Sequence, residues 1–415
     1  MGNLPSTNQF DSTELINLAD MSMVNLPFSP SAENKTKYLY LSGNKFTSLP
    51  ENMKNVATVD LSNNSMGPSF PIHLAKALSS YISLEYLELK KNQLVNLDNF
   101  ENTNIEKINL LQNRFHELPD QFFDKYPKLN TVNIDCNFLK DFQNQSSSSI
   151  VTLSLSLNCI ESIKTATLSF SQLSFLDLSK NQIKSIPNNF SKSFPQLQNL
   201  DLSDNFISEI PENNDDDLIF PTTLKSLNIS NNLLEKIPGS ITCLPNLLIL
   251  LVENNNITSL PQLNQSLKKI KASNNKINYI AQQELKSLKD LDLSCNKISL
   301  FPTEIKMPKI STIILKRNQI KEINFNYIPI NSILSTNVTV IDVSFNQIET
   351  IPKEIFTNLP NLHKFYAFYN KITSLPPEIS NCNQLYALGI SNNPIKKLPK
   401  LPRSLDRIIA SNCEI

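Results

Sequence analysis

The sequence predicts an α/β solenoid, a stack of short parallel strands joined by mostly irregular, 3-10 or short helical segments. Three observations carry the prediction. A pattern ΦxΦxxNxΦxxΦP, with Φ apolar, recurs as LYLSGNKFTSLP (39–50), LDLSKNQIKSIP (176–187), LDLSDNFISEIP (200–211), LNISNNLLEKIP (227–238) and IDVSFNQIETIP (341–352). Its asparagine returns at 44, 64, 92, 113, 137, 158, 181, 205, 232, 255, 275, 296, 318, 346, 370 and 393. The residues before it alternate apolar with polar, the period of a strand with one face buried.

Each element of the repeat has a physical reason. The ΦxΦ pairs stack as one parallel sheet. The chain then bends inward and carries backbone N–H and C=O groups away from water, where they need partners. Asparagine offers a donor and an acceptor on a short side chain, so the stacked units place an asparagine ladder inside the bend. This accounts for part of the 55 asparagines. Met21 takes the ladder position in the first unit and Cys413 in the last, giving 18 units at intervals of 20 to 28 residues. Proline follows six residues after the ladder position in 11 units, for example Pro50, Pro187 and Pro352. It lacks an N–H and suits a segment with no strand partner.

The pattern resembles the leucine-rich-repeat superfamily, whose signature is L-x-x-L-x-L-x-x-N/C-x-L, over residues 15–415. The resemblance implies a horseshoe with the parallel sheet on its concave face and a protein-binding role there, not catalysis. The spacing is similar to intracellular, typical-length repeats, because the disulfide-bonded caps of extracellular types have no counterpart here. Such arrays resemble those joined to kinase, GTPase, adenylate cyclase or type-2C phosphatase domains. Two readings follow. One is a cytoplasmic signalling scaffold whose partner is a protein, with a small GTPase or a phosphatase as the suggested classes. The other is the targeting or regulatory region of a longer signalling enzyme.

Three intervals are long. Residues 70–84, FPIHLAKALSSYISL, have helical apolar spacing. ENNDDD (212–217) reads as a solvated loop, since a calcium site would need alternating ligands and a glycine turn. NFNYIPINSILSTN (324–337) is the third insertion.

Composition removes several functions. Lysine plus arginine and aspartate plus glutamate both number 38, which gives no basic field for nucleic acid or an anionic membrane. No apolar run is long enough to span a bilayer, and the N-terminus lacks a secretory pattern. The six cysteines are scattered singly, with neither zinc spacing nor a disulfide framework. The five glycines build no phosphate loop, and His73, His116 and His363 lie apart from ligand or triad partners. No cofactor or metal is expected. Residues 1–14 read as a leader in which Gly2 and Ser6 match the N-myristoylation pattern. One acyl chain gives only weak, reversible membrane attachment. SLDRIIASNCEI (404–415) repeats SLKKIKASNNKI (266–277) and brings no C-terminal cap, so the last strand edge is expected to fray, to be covered by a partner, or to continue into a longer chain.

Residues at the sixth, fourth, second and first places before the ladder face outward, and most are small and polar. Adjacent units break that rule with Ile314, Lys316 and Arg317, then Val340, Asp342 and Phe345, then Lys364, Tyr366, Phe368 and Tyr369. Aromatics flanked by cations are the composition of a binding hot spot, and this is the candidate partner site. The competing reading is cross-strand aromatic packing. A second region groups Tyr38, Tyr40 and Tyr86 with Lys90, Lys91 and Lys107, followed by Asp177, Asp201, Asp290 and Asp292, then Lys269 and Lys271, a charge pattern that would orient a partner.

Overall fold

A computed structural model describes residues 11–414 apart from 32, 52, 214–217, 303–304 and 324–335. Gly2, Asp215–Asp217 and most of the third insertion lie outside the described residues. The chain divides into two compact units, Met1–Asn205 with Asp216–Pro221 and Phe206–Asp215 with Thr222–Ile415.

The first unit stacks nine three-residue strands, from Leu15–Asn17 and Tyr38–Tyr40 through to Phe175–Asp177 and Asn199–Asp201. Every neighbouring pair is parallel and in register. The second unit stacks nine more, Ser226–Asn228 through to Arg407–Ile409, with the same pairing. Each unit is thus a parallel β-solenoid. Nearly all strands bury their central residue, such as Leu87, Leu176 and Phe365, and turn its neighbours outward.

All sixteen ladder asparagines are buried. Asn92 shows the scheme. Its Nδ2 donates to Leu89 O in its own unit at 2.9 Å and to Leu61 O in the preceding one at 2.9 Å. Its Oδ1 accepts the Asn64 amide at 2.7 Å. One side chain therefore closes its own bend and ties it to its neighbour. In the last unit Cys413 Sγ donates to Ile390 O at 3.4 Å, the place an amide donor fills elsewhere.

The residue before every ladder position has left-handed backbone, with φ between 51° and 68°. That conformation lets the chain reverse in one residue, at a cost to anything but glycine, asparagine or aspartate.

Outside the main sheets the segments are short. The expected helix in the first long interval is Ile72–Ser79, burying Leu74, Ala75, Ala77 and Leu78. The 3-10 turns include Phe122–Lys125 and Pro377–Asn381. The outer segments also pair as two-stranded parallel sheets, which the sequence reading did not anticipate: Asp141–Phe142 with Ser162–Ile163, and Ser259–Leu260 with Tyr279–Ile280. In three of these four segments the recurring proline is replaced, by Gln143, Lys164 and Ala281, while Pro261 follows Ser259–Leu260. The Ala281 N–H donates to Leu260 O at 2.9 Å, a bond proline could not make.

The core of the first unit also carries a run of rings. Phe170 lies 5.7 Å from Phe123, 5.7 Å from Phe142 and 5.9 Å from Phe194. Phe170→Ala should lower stability by about 3–5 kcal/mol, read from the urea midpoint, because the surrounding rings cannot close the cavity. A loss below about 1 kcal/mol would show that these contacts add little beyond area.

Candidate partner-binding surface

All of the candidate partner-site residues lie in the second unit, on three successive repeats. Lys364 and Tyr366 sit on the strand Lys364–Tyr366, in register with Val340 and Asp342 on one side and Ala387 and Gly389 on the other. Ile314 is in register with Asp292 and Asp342. Arg317, Phe345 and Tyr369 occupy the left-handed position of three consecutive bends, with φ of 56°, 56° and 51°. That backbone aligns their side chains as one column.

The column is stacked. The Arg317 guanidinium carbon lies 5.0 Å and Lys316 Nζ 5.4 Å from the Phe345 ring centroid. Phe345 and Tyr369 stack at 4.4 Å with planes 17° apart. A second pair, Tyr366 and Phe368, stacks at 5.7 Å and 15°. Phe368 lies over Gly389, where a Cβ would approach its ring to 2.1 Å. Tyr369 remains 51% exposed, so the stack presents a ring to water. Ile314, Asp342 and Lys364 flank the stacks on the strands. Asp342 is partly committed, since its Oδ1 accepts the Ser344 amide at 2.9 Å.

Two features of this surface escaped the sequence reading. Gly389 is one, although a glycine inside a strand marks a close approach and could have pointed to the overlying ring. Tyr386 is the other: it is 48% exposed, and its hydrogen bond to Asp406 holds the phenol above the ordinary tyrosine range. Its backbone N–H donates to His363 O at 2.8 Å, directly before Lys364, which places Tyr386 beside the patch.

The second region is more self-contained. Glu88 is buried; Tyr86 donates its hydroxyl to Oε2, and Asn109 Nδ2 donates there at 3.0 Å. Burial, then this carboxylate, pushes the Tyr86 phenol up. Asp177, Asp201 and Asp292 each accept the amide of the serine two residues on, at 2.8–2.9 Å. Burial raises the Asp177 carboxyl, while the bonds from Ser179 oppose that. Lys271 pairs with Glu253 at 3.7 Å. Much of the apparent charge pattern is therefore spent within the bends.

Among the described residues no group of three His, Cys, Asp or Glu converges as metal ligands, and no helix is long and apolar enough to cross a membrane. All six cysteines are free.

Parallel strands, an internal amide ladder and one outward strand face define a solenoid repeat protein. The chain belongs to the leucine-rich-repeat superfamily. Family models described as leucine-rich repeats match residues 336–395, 171–215, 35–56, 223–244 and 287–307. Osteomodulin of Bos taurus is 31% identical over 48% of this chain and 48% of its own length. Adenylate cyclase of Schizosaccharomyces pombe is 28% identical over 94% of this chain and 23% of its own length. The chain thus spans less than half of each of these relatives. The solved structure of a leucine-rich-repeat protein of Leptospira interrogans shares the fold, with a TM-score of 0.70, 24% identity, and 94% of this chain and 92% of that chain covered.

Proposed function

We propose that this chain is a protein-interaction scaffold in intracellular signalling that captures a protein partner on the strand face of its second unit, around Phe345, Tyr366, Phe368 and Tyr369. One observation carries the reading. Arg317, Phe345 and Tyr369 occupy the left-handed position of three consecutive bends, where they stack at 5.0 Å and 4.4 Å into one column that leaves Tyr369 51% exposed. An exposed aromatic column flanked by cations is the composition of a contact surface. The cytoplasm, a small GTPase or phosphatase as partner, and at most weak membrane attachment through Gly2 belong to the same proposal.

Affinity capture tests it. The wild type and the triple variant Tyr366→Ser, Phe368→Ser, Tyr369→Ser are used as baits, with circular dichroism as the fold control. The expected result is an unchanged spectrum and loss of the main partner. An unfolded triple variant would make the cluster a structural one.

The second reading, a regulatory region of a longer signalling enzyme, is favoured by the alignment of 94% of this chain with 23% of the yeast adenylate cyclase. Sequencing the transcript beyond Ile415 decides it. An in-frame catalytic domain supports this reading, and an immediate stop codon removes it.

A further inference from the structure

We infer that the surface around Phe345 recognises an extended acidic segment of its protein partner, with carboxylates on Lys316, Arg317 and Lys364 and apolar side chains against Tyr366 and Tyr369. The inference rests on the docking role proposed above and adds the chemistry of the partner.

Charge is the first argument. Among the described residues Lys316, Arg317 and Lys364 make no ion pair within 4.0 Å. The nearby carboxylates are engaged elsewhere, Asp292 with Ser294, Asp342 with Ser344, and Asp406 with Tyr386. The face thus offers cations that have no ion-pair partner among the described residues. An anionic partner satisfies them, and a cationic one is repelled.

Preorganisation is the second. Lys316 and Arg317 already lie over the Phe345 ring, at 5.4 Å and 5.0 Å, so part of their rotamer freedom is lost before a partner arrives. The Arg317 guanidinium makes no ion pair of its own, and its planar fork of N–H donors fits a carboxylate in bidentate fashion.

The same composition raises the alternative of a single-stranded nucleic acid, in which bases stack on exposed ring faces. The geometry disfavours it. Phe345 meets Arg317 from the preceding unit and Tyr369 from the next, and Phe368 lies between Tyr366 and Gly389. The faces of Phe345 and Phe368 are therefore occupied, leaving Tyr369, 51% exposed, rather than a run of open rings for successive bases. The chain's balanced 38 and 38 charges supply no wider field for a phosphate backbone.

Fluorescence anisotropy on the full chain tests the inference. The probes are short labelled peptides of alternating Glu and Leu, Gln and Leu, or Lys and Leu, and labelled oligo-dT. The Glu–Leu peptide should bind about tenfold or more tighter than the Gln–Leu peptide, and weaken as salt rises. The variant Lys316→Gln, Arg317→Asn, Lys364→Gln should lose that preference, while Lys316→Arg with Lys364→Arg keeps it. Equal binding of the Glu–Leu and Gln–Leu peptides overturns the inference, as does oligo-dT binding as tightly as the Glu–Leu peptide. The docking role is read separately. A partner captured by wild type and by the charge-removed variant, yet lost from the triple serine variant, overturns the acidic chemistry alone. A partner that survives both sets of changes overturns the docking site.

Discussion

Asn92→Leu should lower the unfolding free energy by about 2–4 kcal/mol, from one buried N–H left without an acceptor and two buried carbonyls that each lose one of two donors, since Asn64 Nδ2 still reaches Leu61 O and Asn113 Nδ2 still reaches Leu89 O. Asn92 is fully buried, and leucine fills a similar space, so cavity formation contributes little. What disappears is bonding. Leu61 O and Leu89 O lose donors at 2.9 Å, and the Asn64 N–H loses its acceptor at 2.7 Å. Water cannot replace the amide in a bend this enclosed. Asn92→Cys should cost roughly half as much, because a thiol keeps one weak donor, as Cys413 does toward Ile390 O. Urea unfolding followed by circular dichroism gives both values. Hydrogen exchange gives the location: protection should fall first in Thr58–Asp60 and Tyr86–Glu88, since a solenoid unit is stabilised mainly by its neighbours. A leucine variant within about 1 kcal/mol of wild type would mean that the ladder is not what closes the bends.

The ladder was legible because its constraint falls on a single residue type at a fixed place. The bend has donors and acceptors and little room, and asparagine answers all three. The strands were legible for a similar reason, as alternation over three residues suffices when the register repeats. The candidate patch was legible as an exception to a column of small polar residues, and its members do adjoin one another. What stayed hidden was geometry that no single residue announces. The left-handed position had a signal in the recurring Asn-Asn pairs at 63–64, 231–232, 254–255, 274–275 and 392–393, which pass as asparagine abundance until φ is known. The acidic track had one too. Asp60, Asp177, Asp201, Asp292 and Asp342 each stand two residues before a serine, the spacing at which a carboxylate caps its own turn. Counted as charge, Asp177, Asp201 and Asp292 suggested a surface for steering; seen as turn residues, they are partly consumed by the fold. The outer pair at Ser259–Leu260 needs an N–H from Ala281 and not from Pro261, so one missing proline of two suffices, and an absence is harder to read than a presence.

Phe345→Asn with Tyr369→Asn should reduce partner affinity about 100-fold or more while leaving stability within about 1–2 kcal/mol of wild type. Two effects oppose each other in the folded state. Removing the rings forfeits their stack at 4.4 Å and the cations over Phe345, worth about 1–2 kcal/mol together. Asparagine at φ of 56° and 51° relieves backbone strain of about 1 kcal/mol at each site. The substitutions also recreate the Asn-Asn pair that five other units carry, so nothing foreign enters the bend. Binding has no such compensation, because the exposed ring of Tyr369 and the surface that prepositions Arg317 vanish together. Calorimetric titration with the captured partner, beside urea unfolding, separates the two readings of the patch. Retained stability with lost affinity assigns the rings to recognition. If they are instead sheet packing, stability falls by several kcal/mol and the affinity of the remaining folded fraction is unchanged. The left-handed backbone makes this distinction sharper than serine or alanine could, since at these bends asparagine is the residue the fold itself favours.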